Sequence, residues 1–215
     1  MQFALTKDHQ FFFTKHKYIE FEELYSPEVC ASAKELLDRI VEKRLKKMIG
    51  SRTPEEIFSV GHDMWRDYPN LSLSRPAAQL IAELFHAKQL RIAYDQYIRT
   101  IQPMSAPLKE AATLQQISSF QPIVGGLLIR LTADPKAPPM TPRSVGSGLF
   151  IAPDLSLPWP ALFQNPDQAF LLVVYVPLRS RYVLEPHDPH THALKKLGYG
   201  FGDAIQDATH PLLVR

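Results

Sequence analysis

Residues 169–176, Ala-Phe-Leu-Leu-Val-Val-Tyr-Val, form the longest uninterrupted apolar run in the chain. Aliphatic, β-branched and aromatic side chains make up this run, and such residues favour strands. Its length suits a strand and is far too short to span a bilayer. We therefore predict a buried strand at 170–176.

Prolines are distributed unevenly around this strand. Four of the nineteen prolines precede Pro103, and the other fifteen lie from Pro103 onward. Helix interiors reject proline, whereas turns and sheet edges accept it. We expect one domain over residues 1–215, with helices concentrated in 1–102 and short strands in 103–215. Further strands are predicted at 114–120, 123–131, 149–152, 181–185 and 211–214, the first two as a hairpin or a continuous pair, with a loop at 133–148.

The first half contains three helix-start signals. Ser26-Pro27 precedes an apolar stripe with helical spacing, Thr53-Pro54-Glu55-Glu56 is a capping box, and Ser74 opens a third amphipathic segment. From residue 90 to 99 the apolar period changes to two, which indicates a half-buried strand. Residues 13–24 are a second strand candidate. The combined pattern predicts an α+β fold, a double-stranded β-helix (jelly roll) with N-terminal helices packed on one face.

Composition limits the classes of function. Lys and Arg number 24 against 22 Asp and Glu, a weaker basic excess than nucleic-acid binding by phosphate neutralisation usually needs. Cys30 is the single cysteine, so no internal disulfide can form and a reducing compartment is expected. The N-terminal residues lack a secretory pattern. We expect a cytoplasmic protein with no membrane partner, and with an inert Cys30 beside a buried helical stripe.

Several segments resemble a known family. Residues 18–28, 127–131 and 148–151, followed by Gly202-Asp203 and His210, are similar to the phytanoyl-CoA dioxygenase-like branch of the Fe(II)/2-oxoglutarate oxygenases. Residues 61–66, 126–131 and 146–150 resemble a small chlamydial family of uncharacterised proteins with a degenerate version of that fold. The resemblance implies a jelly roll. It also implies that an intact site would use Fe(II) and 2-oxoglutarate as cofactors.

The iron motif of that family is missing from this sequence. The family binds iron through two histidines and a carboxylate, the first two ligands coming from His-x-Asp or His-x-Glu. None of the eight histidines is followed two places later by an acid, and His62-Asp63 are adjacent. The family's basic residue past the distal histidine has no counterpart at that spacing after His210. The sequence thus favours a non-catalytic protein that binds an unknown small molecule or protein, with no assigned catalytic or cofactor-binding residue.

A histidine-rich tract leaves one alternative open. Residues 185–192 read Glu-Pro-His-Asp-Pro-His-Thr-His, and imidazole and carboxylate are good ligands for transition metals. The alternative is a metal-dependent oxygenase that uses Fe(II) and 2-oxoglutarate at a site formed by Asp188, His190, His192 and His210. The competing interpretation is a polar turn between two strands, because the two prolines break regular structure. Whether His187 approaches the other histidines stays open at this stage.

Two weaker signals complete the sequence. The basic run 43–47 could contact DNA as part of a regulatory protein, but it also fits a solvated helix end where cations complement the helix dipole. No groove-reading motif accompanies this run, so nucleic acid is disfavoured as a partner. The glycines at 198, 200 and 202 lack the spacing of a dinucleotide loop and indicate a flexible turn.

Overall fold

The computed structural model describes residues 4–48, 53–72, 74–99, 111–133, 138–163, 165–188 and 190–214. In these ranges the α-helices are α1 Lys7–His16, α2 Pro27–Lys46, α3 Pro54–Ser59, α4 Pro69–Ser72, α5 Arg75–Leu84 and α6 Thr191–Lys196. The strands are β1 Tyr18–Phe21, β2 Leu90–Arg99, β3 Ala112–Thr113, β4 Phe120–Gln121, β5 Gly125–Arg130, β6 Gly148–Ile151, β7 Ser156–Leu157, β8 Ala169–Pro177, β9 Arg181–Tyr182 and β10 Leu212–Val214.

The main helices begin where local signals predict. The Ser26 hydroxyl accepts the backbone N–H of Val29 at 3.3 Å and starts α2. At α3 the capping box is complete: the Glu56 N–H donates to the Thr53 hydroxyl at 3.2 Å, and the Thr53 N–H donates to the Glu56 carboxylate at 2.9 Å. Each cap satisfies a backbone N–H that the helix itself leaves without a partner.

Strands from both halves of the sequence form one antiparallel sheet. Among the described residues its order is β1-β6-β5-β8-β2-β10, and the predicted apolar strand is β8. Leu172 of β8 lies opposite Leu128 of β5 on one side and Gln96 of β2 on the other. Because β8 is paired on both edges and covered on both faces, its sequence is apolar throughout. The mixed helix-and-sheet architecture confirms the coarse fold class.

Two hydrophobic clusters cover the two faces of this sheet. On the helix face, Leu37 of α2 and Ile81 of α5 pack in one cluster with Val173 of β8. On the other face, which we call the inner face, Leu172 and Val174 pack in a second cluster with side chains from the short strand pairs β3–β7 and β4–β9 and from the 3-10 turn Trp159–Phe163. Helices α2 and α5 therefore lie on one side of the sheet. Phe58 of α3 and Leu194 of α6 pack in the cluster on the other face, which departs from the prediction that the N-terminal helices share one face.

Strand β2 differs from its predicted half-buried state. All of its residues from Leu90 to Ile98 are buried, and only Arg99 is intermediate. The apolar positions do not keep to one face, because the strand register shifts between Ile92 and Tyr94: Ile92 packs in the helix-face cluster and Tyr94 in the inner-face cluster. The polar positions are covered as well. Asp95 meets Trp65 and Ser72, residues outside the sheet, and Arg91 donates to the carbonyl of His210 at 2.8 Å.

The predicted strand at 13–24 is wrong in its first part. Helix α1 extends to His16, Lys17 takes a left-handed conformation (φ 68°), and only Tyr18–Phe21 is a strand. The Thr6 hydroxyl accepts the His9 N–H at 3.2 Å, and the Thr6 N–H donates to the His9 ring at 3.3 Å. This cap starts a helix through the phenylalanines that composition alone assigns to a strand.

The predicted hairpin between 114–120 and 123–131 is also wrong. Residues Gln115–Ile117 form a 3-10 turn, β4 pairs with β9, and β5 lies between β6 and β8. Gly125 of β5 lies at a close approach to neighbouring atoms. A β-carbon there would overlap the Phe85 ring and lie 2.7 Å from the carbonyl oxygen of Ile151.

Three smaller predictions in the second half have different outcomes. The described part of 133–148 is free of helix and of strand up to Gly148. The strand predicted at 181–185 is reduced to Arg181–Tyr182. The described part of the tract 185–192 contains turn residues at 186, 187 and 190, in agreement with the polar-turn interpretation, and enters α6 at Thr191.

Candidate functional site

Three buried histidines approach the inner face of β2 from different parts of the chain. They are His62, in the loop after α3, His190, at the start of α6, and His210, just before β10. Their exposed fractions are 6%, 3% and 0%. A buried imidazole loses hydration that other contacts must replace, so this cluster is the natural candidate site.

The loop that carries His62 is fixed to β2 by backbone hydrogen bonds. The Asp63 N–H donates to the carbonyl of Asp95 at 2.9 Å, and the Tyr97 N–H donates to the carbonyl of Gly61 at 2.7 Å. Asp63 itself takes a left-handed conformation (φ 53°), which a short polar side chain tolerates. Its carboxylate lies 3.6 Å from Nε2 of His62.

The His190 ring is stacked between two other rings. Its centroid is 3.4 Å from that of His62, with an interplanar angle of 12°, and 5.6 Å from that of Phe58, at 21°. Tyr94 of β2 packs beside both imidazoles, at 5.3 Å from His62 and 5.6 Å from His190. Within the described residues, Nδ1 of neither stacked histidine has a hydrogen-bond partner.

His210 has a separate polar environment. Its Nδ1 lies 2.9 Å from the Tyr199 hydroxyl and 2.9 Å from the Thr209 hydroxyl, and the Phe120 ring lies edge-on at 4.9 Å. The packing of Tyr199 and Phe120 therefore determines the orientation of this imidazole.

Burial makes the neutral form of all three imidazoles favourable. It lowers the pKa of His62 and that of His190 well below the ordinary value, with nearby Arg44 adding to the effect at His62 and His62 itself adding to it at His190. The pKa of His210 is lowered to about 4, first by burial and then by Arg66 and Arg91, against the opposing effect of Asp63. Such a cluster is neutral at pH 7.

Asp188 makes local structural contacts. Its carboxylate accepts the backbone N–H of Ser119 at 2.8 Å and that of His190 at 2.8 Å. Burial raises its pKa to about 6, although these hydrogen bonds oppose the rise. The residue joins the turn before α6 to the segment before β4.

The four residues of the predicted metal alternative are placed differently from one another. Asp188 binds backbone amides, His190 is stacked on His62, and His210 binds Tyr199 and Thr209. The side chain of His192 lies outside the described part of the structure. His187 is exposed and pairs with Glu185 at 2.9 Å, so it lies apart from the buried histidines.

The described residues do not fit a metal. No group of three or more His, Cys, Asp or Glu side chains among them is arranged to hold an ion. An imidazole binds a metal about 2.0–2.1 Å from nitrogen, close to the plane of its ring. Two nearly parallel rings 3.4 Å apart lack a common point in both planes, so His62 and His190 in this stack do not chelate one ion.

The space beside the stack is small. A cavity of about 10 Å³ is bordered by Phe58, Tyr94, Trp159 and His190, with Gln96, Ile117 and Leu172 completing its wall. This volume matches a single water molecule, whereas pockets for small molecules usually measure about 300–1,000 Å³. Trp159, which is 1% exposed, fills part of the inner face.

Sequence reasoning missed the partners of His190. It considered His62 and Asp63 only as a failed iron motif, and it did not single out Phe58 or Tyr94. The glycine directly before His62 could have indicated that this loop lies close to another part of the backbone. A β-carbon at Gly61 would meet the side-chain amide of Gln96 at 2.7 Å, so the glycine allows the loop to approach β2.

Comparison with known proteins establishes the class of fold. No family model matches the sequence, and no curated protein matches it. The structure has the fold of solved non-heme, α-ketoglutarate-dependent enzymes, which confirms the predicted resemblance at the level of fold.

Three solved structures illustrate this likeness. CT296 from Chlamydia trachomatis is 17% identical with a TM-score of 0.52, over 82% of this chain and 97% of that one. The non-heme α-ketoglutarate-dependent carbocyclase SnoK is 12% identical with a TM-score of 0.72, over 98% and 97%. The epimerase SnoN, solved with Fe³⁺ and α-ketoglutarate, is 10% identical with a TM-score of 0.65, over 95% and 96%.

The described helices are short or carry many polar residues. None of them is both long enough and apolar enough to cross a bilayer.

Proposed function

We propose that this chain keeps the double-stranded β-helix of the oxygenases and acts as a non-catalytic binding protein. One observation carries the proposal: His62 and His190 stack face to face beside a cavity of about 10 Å³. A cosubstrate needs an open volume and a metal with free coordination positions. The stacked imidazoles and the filled inner face provide neither among the described residues, and no His-x-acid motif is present in the sequence.

In this proposal the buried histidines belong to the core. Neutral imidazoles pack as flat rings against Phe58 and Tyr94, and lowered pKa values keep them uncharged. The partner, a small molecule or a protein, then binds outside the inner face. We propose the cytoplasm as its location, because the sequence has a single cysteine.

The second candidate is a metal-dependent oxygenase that uses Fe(II) and 2-oxoglutarate. It is favoured by the neighbour solved with Fe³⁺ and α-ketoglutarate and by the proximity of three buried histidines. Its proposed ligands remain Asp188, His190, His192 and His210. It requires the His62–His190 stack to open and Asp188 to release two backbone amides.

A DNA-binding role has less support. Within the basic run 43–47, the Arg44 guanidinium donates to the carbonyls of Val60 at 2.8 Å and His62 at 2.6 Å, and to Asp67 at 2.9 Å. This arginine holds the His62 loop against α2, and the neighbouring lysines fit a solvated helix end.

Iron content and thermal stability separate the first two candidates. Purified protein is incubated anaerobically with Fe(II) and 2-oxoglutarate, then desalted for metal analysis and melted with and without the additives. A site filled at a hundred times its Kd would add about 2.7 kcal/mol, or roughly 5–10 °C at this chain length. We expect no stoichiometric iron, no such shift and no succinate.

One result would contradict the proposal of a non-catalytic protein. Stoichiometric iron that is lost in His190→Gln and in His210→Gln, but kept in the exposed control His187→Gln, would establish the oxygenase candidate. An oxygenase that is known to be active serves as the positive control for the succinate assay.

A further inference from the structure

A polar cleft lies on the helix face of the sheet, on the side opposite the stacked histidines. Its volume is about 270 Å³, and its walls are Lys34 of α2, Tyr97 and Arg99 of β2, and residues 166–169 at the start of β8. Tyr97 and Ala169 belong to the helix-face cluster. The cleft therefore lies outside the site of the buried histidines, and a ligand there does not depend on the proposed loss of iron chemistry.

A half-buried carboxylate organises one wall of this cleft. Asp38 of α2 accepts the Tyr97 hydroxyl at 2.7 Å and the Lys34 ammonium at 2.7 Å, and it pairs with the Arg99 guanidinium. Burial would raise the pKa of Asp38, but these three donors lower it. Asp38 thus stays ionised and holds both cations in fixed positions.

The charge of this wall is unbalanced. Lys34 and Arg99 contribute two positive charges, and Asp38 contributes one negative charge. The bond from Arg99 uses one terminal nitrogen of a guanidinium that has five N–H donors in a planar fork. The side chains of Lys34 and Arg99 keep 37% and 26% of their surface exposed. An arginine fork beside an ammonium is the arrangement that proteins use for carboxylate and phosphate groups.

We propose that this cleft binds a small anionic metabolite through a carboxylate or phosphate group held by Arg99 and Lys34. Asp38 and Tyr97 are positioning residues, since they orient the two cations. The volume lies just below the usual range for small-molecule pockets and limits the ligand to a compact one. Asp167, an exposed residue of the same lining, weakens the binding of an anion by like-charge repulsion.

The test uses the full chain and two probes, inorganic phosphate and succinate, titrated separately by calorimetry at low ionic strength. We expect one probe or both to bind. Arg99→Gln and Lys34→Gln should each weaken binding about tenfold or more, whereas Lys46→Gln, an exposed cation on the same helix, should leave it unchanged. Asp167→Asn should tighten binding severalfold by removing like-charge repulsion.

The outcomes are decisive in both directions. Binding of phosphate alone identifies a phosphate ligand, and binding of succinate alone identifies a carboxylate ligand. If Arg99→Gln unfolds because Asp38 loses a partner, Lys34→Gln decides, with folding checked by circular dichroism. No binding of either probe up to about 10 mM, or equal weakening in Lys46→Gln, overturns the proposal.

Discussion

Asp95 is a buried carboxyl group in the middle of β2, and it is 0% exposed. Its Oδ1 accepts the Trp65 N–H at 3.1 Å, and its Oδ2 accepts the Ser72 hydroxyl. Burial raises its pKa to about 7, hydrogen bonds from Ser72 and Trp65 lower it, and Asp63 raises it further. The folded state therefore holds a proton on Asp95 at pH values where the unfolded chain has lost it.

Because the folded and unfolded states bind different numbers of protons at Asp95, the free energy of unfolding depends on pH, and the sign of this dependence is known. Between about pH 4 and pH 7 the native state binds more protons at Asp95 than the unfolded state, so the contribution of Asp95 to stability falls as pH rises. The slope is at most about 1.4 kcal/mol per pH unit. The buried histidines, whose pKa values are lowered, act in the opposite direction.

Asp95→Asn isolates the contribution of this one group. We expect the free energy of unfolding of the variant, relative to the native sequence, to increase steadily from pH 4.5 to pH 7. Urea unfolding at four pH values measures this difference. A difference independent of pH would mean that Asp95 is ionised throughout the range in the folded protein.

Individual elements show how far local signals extend. The capping residues Ser26 and Thr53 directly precede the helices that they start, so the beginnings of α2 and α3 could be predicted from the sequence. The pairing of β4 with β9 joins residues 60 apart in the chain, and no local pattern specifies it. Residues 13–16 are helical because the cap formed by Thr6 and His9 starts α1 upstream of them, and strand propensity does not include this cap.

Gly125 offers a test at the level of one element. Gly125→Ala would place a methyl group against the Phe85 ring of the helix layer and the backbone of β6. Because backbone cannot move away cheaply, we expect a loss of about 2–3 kcal/mol. Denaturant unfolding measures this loss.

The matched control for this variant is Gly200→Ala. The nearest atom to its added methyl group would be a carboxylate oxygen of Asp203 at 3.4 Å, which is an ordinary contact distance. The free energy of unfolding should therefore change by no more than about 0.5 kcal/mol. Equal stability of the two variants would show that α5 and β5 are not in tight contact.

At the scale of the whole molecule, one sheet separates two chemically different regions. Strand β2 sends Tyr94 to the stacked histidines on the inner face and Tyr97 and Arg99 to the cleft on the helix face. The sequence predicted a layer of N-terminal helices, of which α2 and α5 pack on one face while Phe58 of α3 packs on the other, and it identified His190 and His210. It could not pair His190 with His62, because stacking across 128 positions depends on tertiary structure alone.

The buried position of Cys30 in α2 has a practical consequence. This thiol is the single one in the sequence, it is 0% exposed, and burial raises its pKa to about 11. Alkylation requires an accessible thiolate, so iodoacetamide should modify the chain only when the helix layer separates from the sheet. The labelling rate then reports the frequency of that opening in unmodified protein, and rapid labelling under native conditions would contradict the packing of α2 against the sheet.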